Sequence, residues 1–263
     1  MSDLYSQFQV LQLQRVSDGA IVPVLDVSAL ASTPSRVLVL VWPQLGDFDS
    51  VEYASWLKRE RELLEARKIV VRAIAIGDRE GGQRFCNYTN FPSENLFLDP
   101  IASIHQDLGL YPGLTLKLPG VSPAGNAWVN FLLMCAGIGS PGTLREVFRG
   151  YLGDRSAPQL IADDEVIHAK PLPPIQGRFF QRAGGSGFQR PFELATVRLK
   201  NMVEVLGHWQ TYVPDVQWIT QRGGTFLFDS EGTLIYEHRD RGILGFAKNM
   251  SQPLSFLESL ELS

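Results

Sequence analysis

The sequence has 263 residues, is 44% hydrophobic and carries a formal net charge of −4. A chain of this length buries about 70–75% of its unfolded surface, which predicts a globular protein of one large domain or two small ones. The negative charge argues against nucleic acid as a partner. Two cysteines, Cys86 and Cys135, are too few for a disulfide scaffold and fit a reducing compartment.

Two features bear on localisation. The first five residues lack a basic segment followed by an apolar one, so we expect no secretory signal. The longest apolar run without charge, near residues 127–139, is shorter than the ~20 residues that a membrane-spanning helix needs. We therefore expect a cytoplasmic protein, or one in an equivalent reducing space such as a plastid stroma.

The chain begins with a pattern that is typical of a hairpin. Residues 10–16 alternate weakly, residues 17–20 form a turn signal, and residues 21–25 suit a second strand. Pro23 cannot donate to a strand partner, which favours an edge position for that strand.

The next stretch predicts a β-α-β unit. Residues 37–42 are continuously apolar and should form a central strand buried on both faces, and residues 43–46 should end it because proline has no N–H. The acidic, hydroxyl-bearing residues 47–50 suit a helix N-terminus, with the helix over residues 51–68. A second buried strand over residues 69–76 should run parallel to the first.

The remaining elements follow from periodicity and turn residues. We predict a strand over 95–100, a hairpin over 223–238, and helices over 79–88, 101–110, 126–137, 143–152, 191–209 and 252–261. Residues 170–187 are rich in proline and glycine and should form a loop. Between residues 170 and 200, six bases stand against one acid, Glu193, in a chain that is acidic overall.

The loop after the first buried strand resembles the active-site loop of peroxiredoxins. Those enzymes carry Pro-x-x-x-Thr-x-x-Cys, with the peroxide-attacking cysteine in the first turn of the helix. Here Pro43 is followed at the same spacing by Asp47 in the threonine position and Ser50 in the cysteine position. In the peroxiredoxin-like 2 branch, both residues of a Cys-x-x-Cys would fall on Asp47 and Ser50.

Further stretches carry the same resemblance. Residues 85–110 are similar to a structural segment of peroxiredoxins, residues 226–232 to their hairpin, and residues 237–245 to the peroxiredoxin-like 2 branch. The chain is thus identified as a peroxiredoxin-like member of the AhpC/TSA superfamily. The resemblance implies an α/β, thioredoxin-like fold with a mixed central sheet flanked by helices. It also implies one domain over residues 1–263, with a helical and basic insertion over residues 111–216.

The residues of the loop argue against thiol chemistry there. A serine hydroxyl cannot cycle through a sulfenic acid and a disulfide, so Ser50 is expected to cap or support the helix. The resemblance places an arginine beside the reactive position, and Arg222 is its candidate, with Asp47 or Asp49 as ion-pair partner. A solvated loop arginine is the alternative. The acidic residues would raise the pKa of any nearby thiol.

Two functional hypotheses remain open at this point. In the first, the fold is a non-catalytic binding or assembly module whose insertion contacts another protein or an anionic surface, including that of a membrane. Aromatic and basic residues suited to docking are Arg178, Phe179, Phe180, Arg182, Phe188 and Arg190. In the second, the chain is an antioxidant thiol oxidoreductase that uses Cys86, although a core role is favoured for that cysteine and Cys135 is a poorer candidate.

We expect neither a metal nor a cofactor. His105, His168, His208 and His238 show no ligand spacing. No phosphate-binding P-loop is present, no Gly-x-Gly-x-x-Gly follows a strand, and the glycine cluster at 184–187 looks like loop.

Overall fold

The computed structural model describes residues 3–25, 36–152, 158–182 and 190–258. The strands in these ranges are β1 (Gln12–Arg15), β2 (Ile21–Pro23), β3 (Arg36–Gln44), β4 (Ile69–Ile76), β5 (Leu96–Leu98), β6 (Val166–Ile167), β7 (Ile175–Gln176), β8 (Gly224–Phe228) and β9 (Leu234–Arg239). The α-helices are α1 (Asp3–Val10), α2 (Phe48–Arg59), α3 (Arg61–Ala66), α4 (Arg79–Thr89), α5 (Ser103–Asp107), α6 (Pro123–Cys135), α7 (Thr143–Leu152), α8 (Gly177–Arg182), α9 (Arg190–Gly207) and α10 (Trp209–Tyr212).

Seven of the described strands form one mixed sheet in the order β2-β1-β5-β4-β3-β8-β9. The central strands β3, β4 and β5 are parallel, whereas β8 is antiparallel to both β3 and β9. At one edge, β1 and β2 form the predicted hairpin, and Pro23 lies on its outer strand. The predicted thioredoxin-like α/β architecture is confirmed.

The central strand β3 is buried along almost its whole length, as its apolar run predicted. The prediction that the strand ends within residues 43–46 is confirmed by β3, which ends at Gln44. Its pairing with β4 shifts register between Trp42 and Gln44 and passes over Pro43. The shift accommodates a residue that has no N–H to donate to the ladder.

Helices cover both faces of the sheet. Even-numbered residues of β3, such as Leu40, pack in a core with side chains of α2 and α4. Odd-numbered residues, such as Val39, belong to a second core that includes α1 and α5. The sequence analysis did not predict α1, whose Tyr5 and Phe8 rings lie 5.2 and 6.0 Å from the ring of Phe228.

The helix after β3 begins earlier than predicted and is interrupted. It starts at Phe48 as α2, ends at Arg59, and is followed by the separate helix α3. Neither glycine nor proline marks the interruption, so the sequence gives no signal for it. In contrast, α4 and α7 lie where they were predicted, and Pro191 stands in the first turn of α9.

The stretch predicted as a loop over residues 170–187 contains regular structure. β7 pairs with β6, and α8 follows directly. Phe180 is fully buried in a small core with Ile161 and Ile167, and this burial outweighs the local proline and glycine content. At Gly177 a Cβ would lie 1.8 Å from the Ala162 carbonyl oxygen, so only glycine permits this close approach. The glycine cluster at 184–187 lies outside the described residues.

The predicted C-terminal helix over residues 252–261 was wrong within the part that is described. A single 3-10 turn, Ser255–Leu257, occupies it, and Leu257 is buried in the first core. Residues 259–261 lie outside the described residues. Across the described ranges, each helix is too short or too polar to cross a membrane.

Candidate functional site

The start of α2 is built by Asp47 and Ser50. Asp47 is the N-cap residue, and its carboxylate accepts a hydrogen bond of 2.9 Å from the backbone N–H of Asp49. Ser50 is fully buried, and its hydroxyl donates to the Gln44 carbonyl at 3.2 Å. Ser50 was expected to cap or support the helix. It supports the helix through this hydrogen bond to the end of β3, whereas Asp47 is the cap.

Arg222 reaches the same place from the other end of the chain. Its backbone N–H donates to the Tyr111 carbonyl at 2.8 Å, and its side chain is fully buried. At Gly223 a Cβ would lie 2.2 Å from the carbonyl oxygen of Val41, so only glycine allows this segment to pass so close to β3. The glycine that separates Arg222 from the strand therefore positions the guanidinium beside α2.

The predicted ion pair of Arg222 is confirmed. Its Nη2 pairs with Asp47, and its Nη1 lies 3.5 Å from Asp49 Oδ2. The guanidinium also donates to the carbonyls of Thr220 and Ile219 at 3.1 and 3.4 Å. Burial alone would lower the pKa of Arg222, but the charges of Asp47 and Asp49 raise it.

Two buried carboxyl groups complete what we call the Arg222 cluster, which consists of Arg222, Asp47, Asp49 and Asp240. Both oxygens of Asp49 accept the N–H of Leu244, at 2.9 and 3.0 Å. Burial and the charge of Asp47 raise the pKa of Asp49. Burial raises the pKa of Asp240 to about 8 against the opposing effect of Arg222. No role was predicted for Asp240 from the sequence, although it lies in the stretch 237–245 that carries part of the resemblance.

His105 lies close to this cluster, although the sequence analysis treated the histidines as scattered. Its Nε2 donates to the Trp42 carbonyl at 2.9 Å, and its Nδ1 has no hydrogen-bond partner among the described residues. Burial lowers the pKa of His105 to about 4, so the ring is neutral at neutral pH. A neutral buried imidazole at the end of β3 supplies no positive charge to the site.

The two thiols occupy different environments. Cys86 is buried in the core between the sheet and α4, and burial raises its pKa to about 12, with Glu94 as the charge that adds to the effect. Cys135 is exposed as a residue at the end of α6. Partial burial of its thiol and the charge of Asp47 raise its pKa, while Arg222 opposes them. Cys135 was the poorer candidate from the sequence, yet of the two thiols it is the one whose pKa is affected by the charges of the Arg222 cluster.

Of the predicted docking residues, the structure describes the side chains of Arg178, Phe179 and Phe180. Arg178 and Phe179 are exposed, whereas Phe180 is buried in the small core described above, so its assignment to a docking surface was wrong. The side chains of Arg182 and Arg190 and the whole of residue Phe188 lie outside what the structure describes.

The basic excess predicted for residues 170–200 is partly neutralised inside the protein. Arg198 forms ion pairs with Glu52 at 2.9 Å and with Glu146 at 3.0 Å. Lys200 lies over the ring of Tyr88, 5.6 Å from its centroid. Counting charges along the sequence therefore overestimates the positive surface here. Within the described ranges, no three His, Cys, Asp or Glu side chains are arranged to hold a metal ion.

Comparison with known proteins gives one family. The family model for the AhpC/TSA antioxidant enzyme matches residues 56–242, a span that begins after the Asp47–Ser50 loop. Among solved structures, a Xanthomonas campestris bacterioferritin comigratory protein has a TM-score of 0.40 and 9% identity, over 97% of this chain and 94% of that chain. A cysteine-to-serine mutant of Xanthomonas campestris peroxiredoxin Q has a TM-score of 0.39 and 8% identity, over 97% and 91%. No curated protein matches the chain significantly.

Proposed function

The chain belongs to the AhpC/TSA antioxidant enzyme family, and from this premise we propose that it is a member without peroxidase activity that serves as a binding or assembly module. In this proposal Asp47 and Ser50 stand where relatives carry redox cysteines. The observation that carries it is the buried Arg222, whose charge is engaged by Asp47 and Asp49.

The electrostatics of the loop support this proposal. A peroxide-attacking thiolate needs a nearby positive charge that stabilises it. Here the guanidinium is already paired with carboxylates, and a thiolate at position 50 would face Asp47 and Asp49 as like charges. Ser50 is also fully buried, so a peroxide has no open path to its hydroxyl.

The alternative is a thiol oxidoreductase that uses Cys86. With a pKa of about 12, roughly one Cys86 thiol in 10⁵ is ionised at neutral pH, which leaves very little thiolate for attack on a peroxide. Cys135 is exposed, and the charge of Arg222 acts to lower the pKa of its thiol. Burial and the charge of Asp47 outweigh that effect, so the pKa is raised as well. Both environments favour the non-catalytic proposal.

A peroxide-consumption assay with a thioredoxin-type reductant tests the proposal. We expect no turnover above the uncatalysed rate for the wild type, and no difference from the variants Cys86→Ser and Cys135→Ser. Catalytic turnover by the wild type that disappears in one of the two variants would establish a thiol peroxidase and identify its cysteine. That result would overturn the non-catalytic proposal.

The binding role is supported by the exposed pair Arg178 and Phe179, an arginine and an aromatic residue of the kind enriched at protein interfaces. We place this surface in an insertion over residues 111–216 and the protein in a reducing compartment. Co-purification from the native source should retain a partner with the wild type and lose it in Arg178→Ala/Phe179→Ala. A partner retained equally by both forms would exclude this surface.

A further inference from the structure

A cavity of about 250 Å³ lies between the N-terminal end of α7 and the segment that follows β9. Bases from both walls line it: Arg145, Arg149, Arg239, Arg241 and Lys248. Among the described residues that line it, Glu146 is the one acid. We call this cavity the basic pocket. Its lining is strongly positive in a chain whose net charge is −4.

Two of these bases already have carboxylate partners. Arg149 makes two hydrogen bonds of 2.6 Å to Glu146, and Arg239 is ion-paired with Glu237. Glu146 also pairs with Arg198 at 3.0 Å, so two arginines share the single acid of the lining. The one carboxylate of the described lining is therefore already paired with two arginines.

The other three bases are not neutralised. In the described part of the chain, no carboxylate lies at ion-pair distance from Arg145, Arg241 or Lys248. Arg241 lies 5.4 Å from the ring centroid of Tyr111, and Lys248 lies 5.4 Å from that of Tyr236. An aromatic face holds a cation without cancelling its charge. Three residues with uncompensated charges thus line one cavity.

The two walls of the pocket are joined by buried hydrogen bonds. The Ser140 hydroxyl lies 2.6 Å from that of Thr143, which donates to the Ile243 carbonyl at 2.7 Å, and the Ile243 N–H donates back to Ser140 at 2.8 Å. A Cβ on Gly242 would lie 2.7 Å from the Pro141 carbonyl oxygen, so the walls approach closely where only glycine fits. A preorganised pocket loses less entropy when a ligand binds.

We propose that the basic pocket binds a phosphate-type oxyanion, as free phosphate, a small phosphorylated molecule or a phosphorylated lipid headgroup. Arginine and lysine are the side chains that match phosphate oxygens in charge and hydrogen-bonding geometry. The positive end of α7 adds to their field. The volume equals that of about eight waters at ~30 Å³ each, which suits one phosphate group with a small appendage.

Titration calorimetry of the full chain with inorganic phosphate at low ionic strength tests the proposal. We expect the wild type to bind, and Arg145→Gln/Lys248→Gln to bind about tenfold more weakly or worse, because two charge-assisted contacts are lost. The matched control, Lys58→Gln/Lys117→Gln, removes the same charge from exposed positions outside the pocket and should stay within about twofold.

Two outcomes would overturn the proposal: no heat of phosphate binding to the wild type, or the same weakening in the pocket variant and the control. Thermal unfolding of each variant without ligand checks that the fold is intact. The proposal does not depend on the non-catalytic function, since the calorimetry measures binding and not turnover.

The source of the phosphate group is decided by a second measurement, co-sedimentation with vesicles of phosphatidylcholine that contain or lack phosphatidate. Phosphatidate-dependent sedimentation that the pocket variant loses would support the site and assign a lipid headgroup. Phosphate binding without sedimentation would support the site and assign a soluble molecule. Sedimentation that persists in the pocket variant would contradict a lipid headgroup in this pocket.

Discussion

The Arg222 cluster and the basic pocket both include residues of the segment that follows β9, but their charged groups are arranged in opposite ways. In the cluster, one fully buried guanidinium forms ion pairs with Asp47 and Asp49, and Leu244 donates its N–H to Asp49. In the pocket, Leu244 is part of the lining, and three bases of that lining, Arg145, Arg241 and Lys248, have no carboxylate partner in the described part of the chain.

The difference separates a structural use of charge from one suited to binding. Buried charges that satisfy one another are strongly destabilising when one partner is removed, and they have little capacity left for a ligand. Partly exposed charges without partners contribute little to folding but attract an ion of opposite sign. The first arrangement predicts large effects on stability, and the second predicts effects on affinity.

The largest effect is expected for Arg222→Met, which keeps the apolar stem and removes the charge. It leaves Asp47 and Asp49 buried without their cation, which should lower the free energy of unfolding by about 3–5 kcal/mol in urea denaturation at neutral pH. Adding Asp49→Asn should recover part of the loss, because one of the unpaired carboxylates is then absent.

The control for this prediction is Arg61→Met. Arg61 forms an exposed pair with Glu65 at 2.7 Å, and its loss should destabilise the protein far less than the loss of Arg222, because solvent screens an exposed pair. Equal destabilisation by the two substitutions would show that the Arg222 cluster does not hold the start of α2, and the contrast drawn above would fail.

A smaller effect is expected from pH. Burial raises the pKa of Asp240 to about 8. In the folded protein Asp240 therefore keeps a proton that the unfolded chain releases near pH ~4, and this contribution to stability is lost as pH rises through about 8. We expect the free energy of unfolding to fall by on the order of 1 kcal/mol between about pH 6.5 and 8.5, and to fall less in Asp240→Asn.

The pH range starts at about 6.5 so that titration of the buried histidines does not contribute to the change in stability. The pKa values of His105 and His238 are lowered by burial, so their opposite contribution, which is lost as pH falls, lies below about pH 6.5. Asp107→Asn, at an exposed position, is the matched control and should follow the wild type. A pH profile in which Asp240→Asn and the wild type coincide would show that Asp240 is not protonated in the folded state.

The smallest effect is expected for Arg145→Gln/Lys248→Gln in the absence of ligand. Removing two uncompensated charges should change the free energy of unfolding by less than about 0.5 kcal/mol, and relief of repulsion favours a small increase. Urea denaturation in phosphate-free buffer measures this. A loss of several kcal/mol would mean that these bases are structural, and the pocket would then resemble the Arg222 cluster instead of differing from it.

Local sequence patterns predicted most of the elements of the fold. The continuous apolar runs of β3 and β4, the turn of the first hairpin and the alternation in β8 and β9 each predicted an element that the structure contains. The failure at residues 170–187 has a physical cause. Tertiary burial of Phe180 outweighed the local proline and glycine content that predicted a loop.

Only part of the candidate site could be predicted from the sequence. The acidic start of α2 and the arginine candidate could be named, because both lie in motif-like positions. No role was predicted for Asp240, and Cys135 was ranked below Cys86, because the environments of both depend on contacts between distant segments. The basic excess over residues 170–200 predicted too positive a surface, because Arg198 forms ion pairs with Glu52 and Glu146 inside the protein.

The sequence by itself determined the β-α-β unit, the two hairpins of the main sheet, the acidic helix start and the absence of cysteine from the Pro43–Ser50 loop. Only the tertiary structure decided which charges meet. Arg222 pairs with Asp47 across 175 positions, and the basic pocket joins the start of α7 to residues about a hundred positions further on. Periodicity and capping act over a few residues, whereas such pairings depend on sheet register and on close approaches at Gly223 and Gly242.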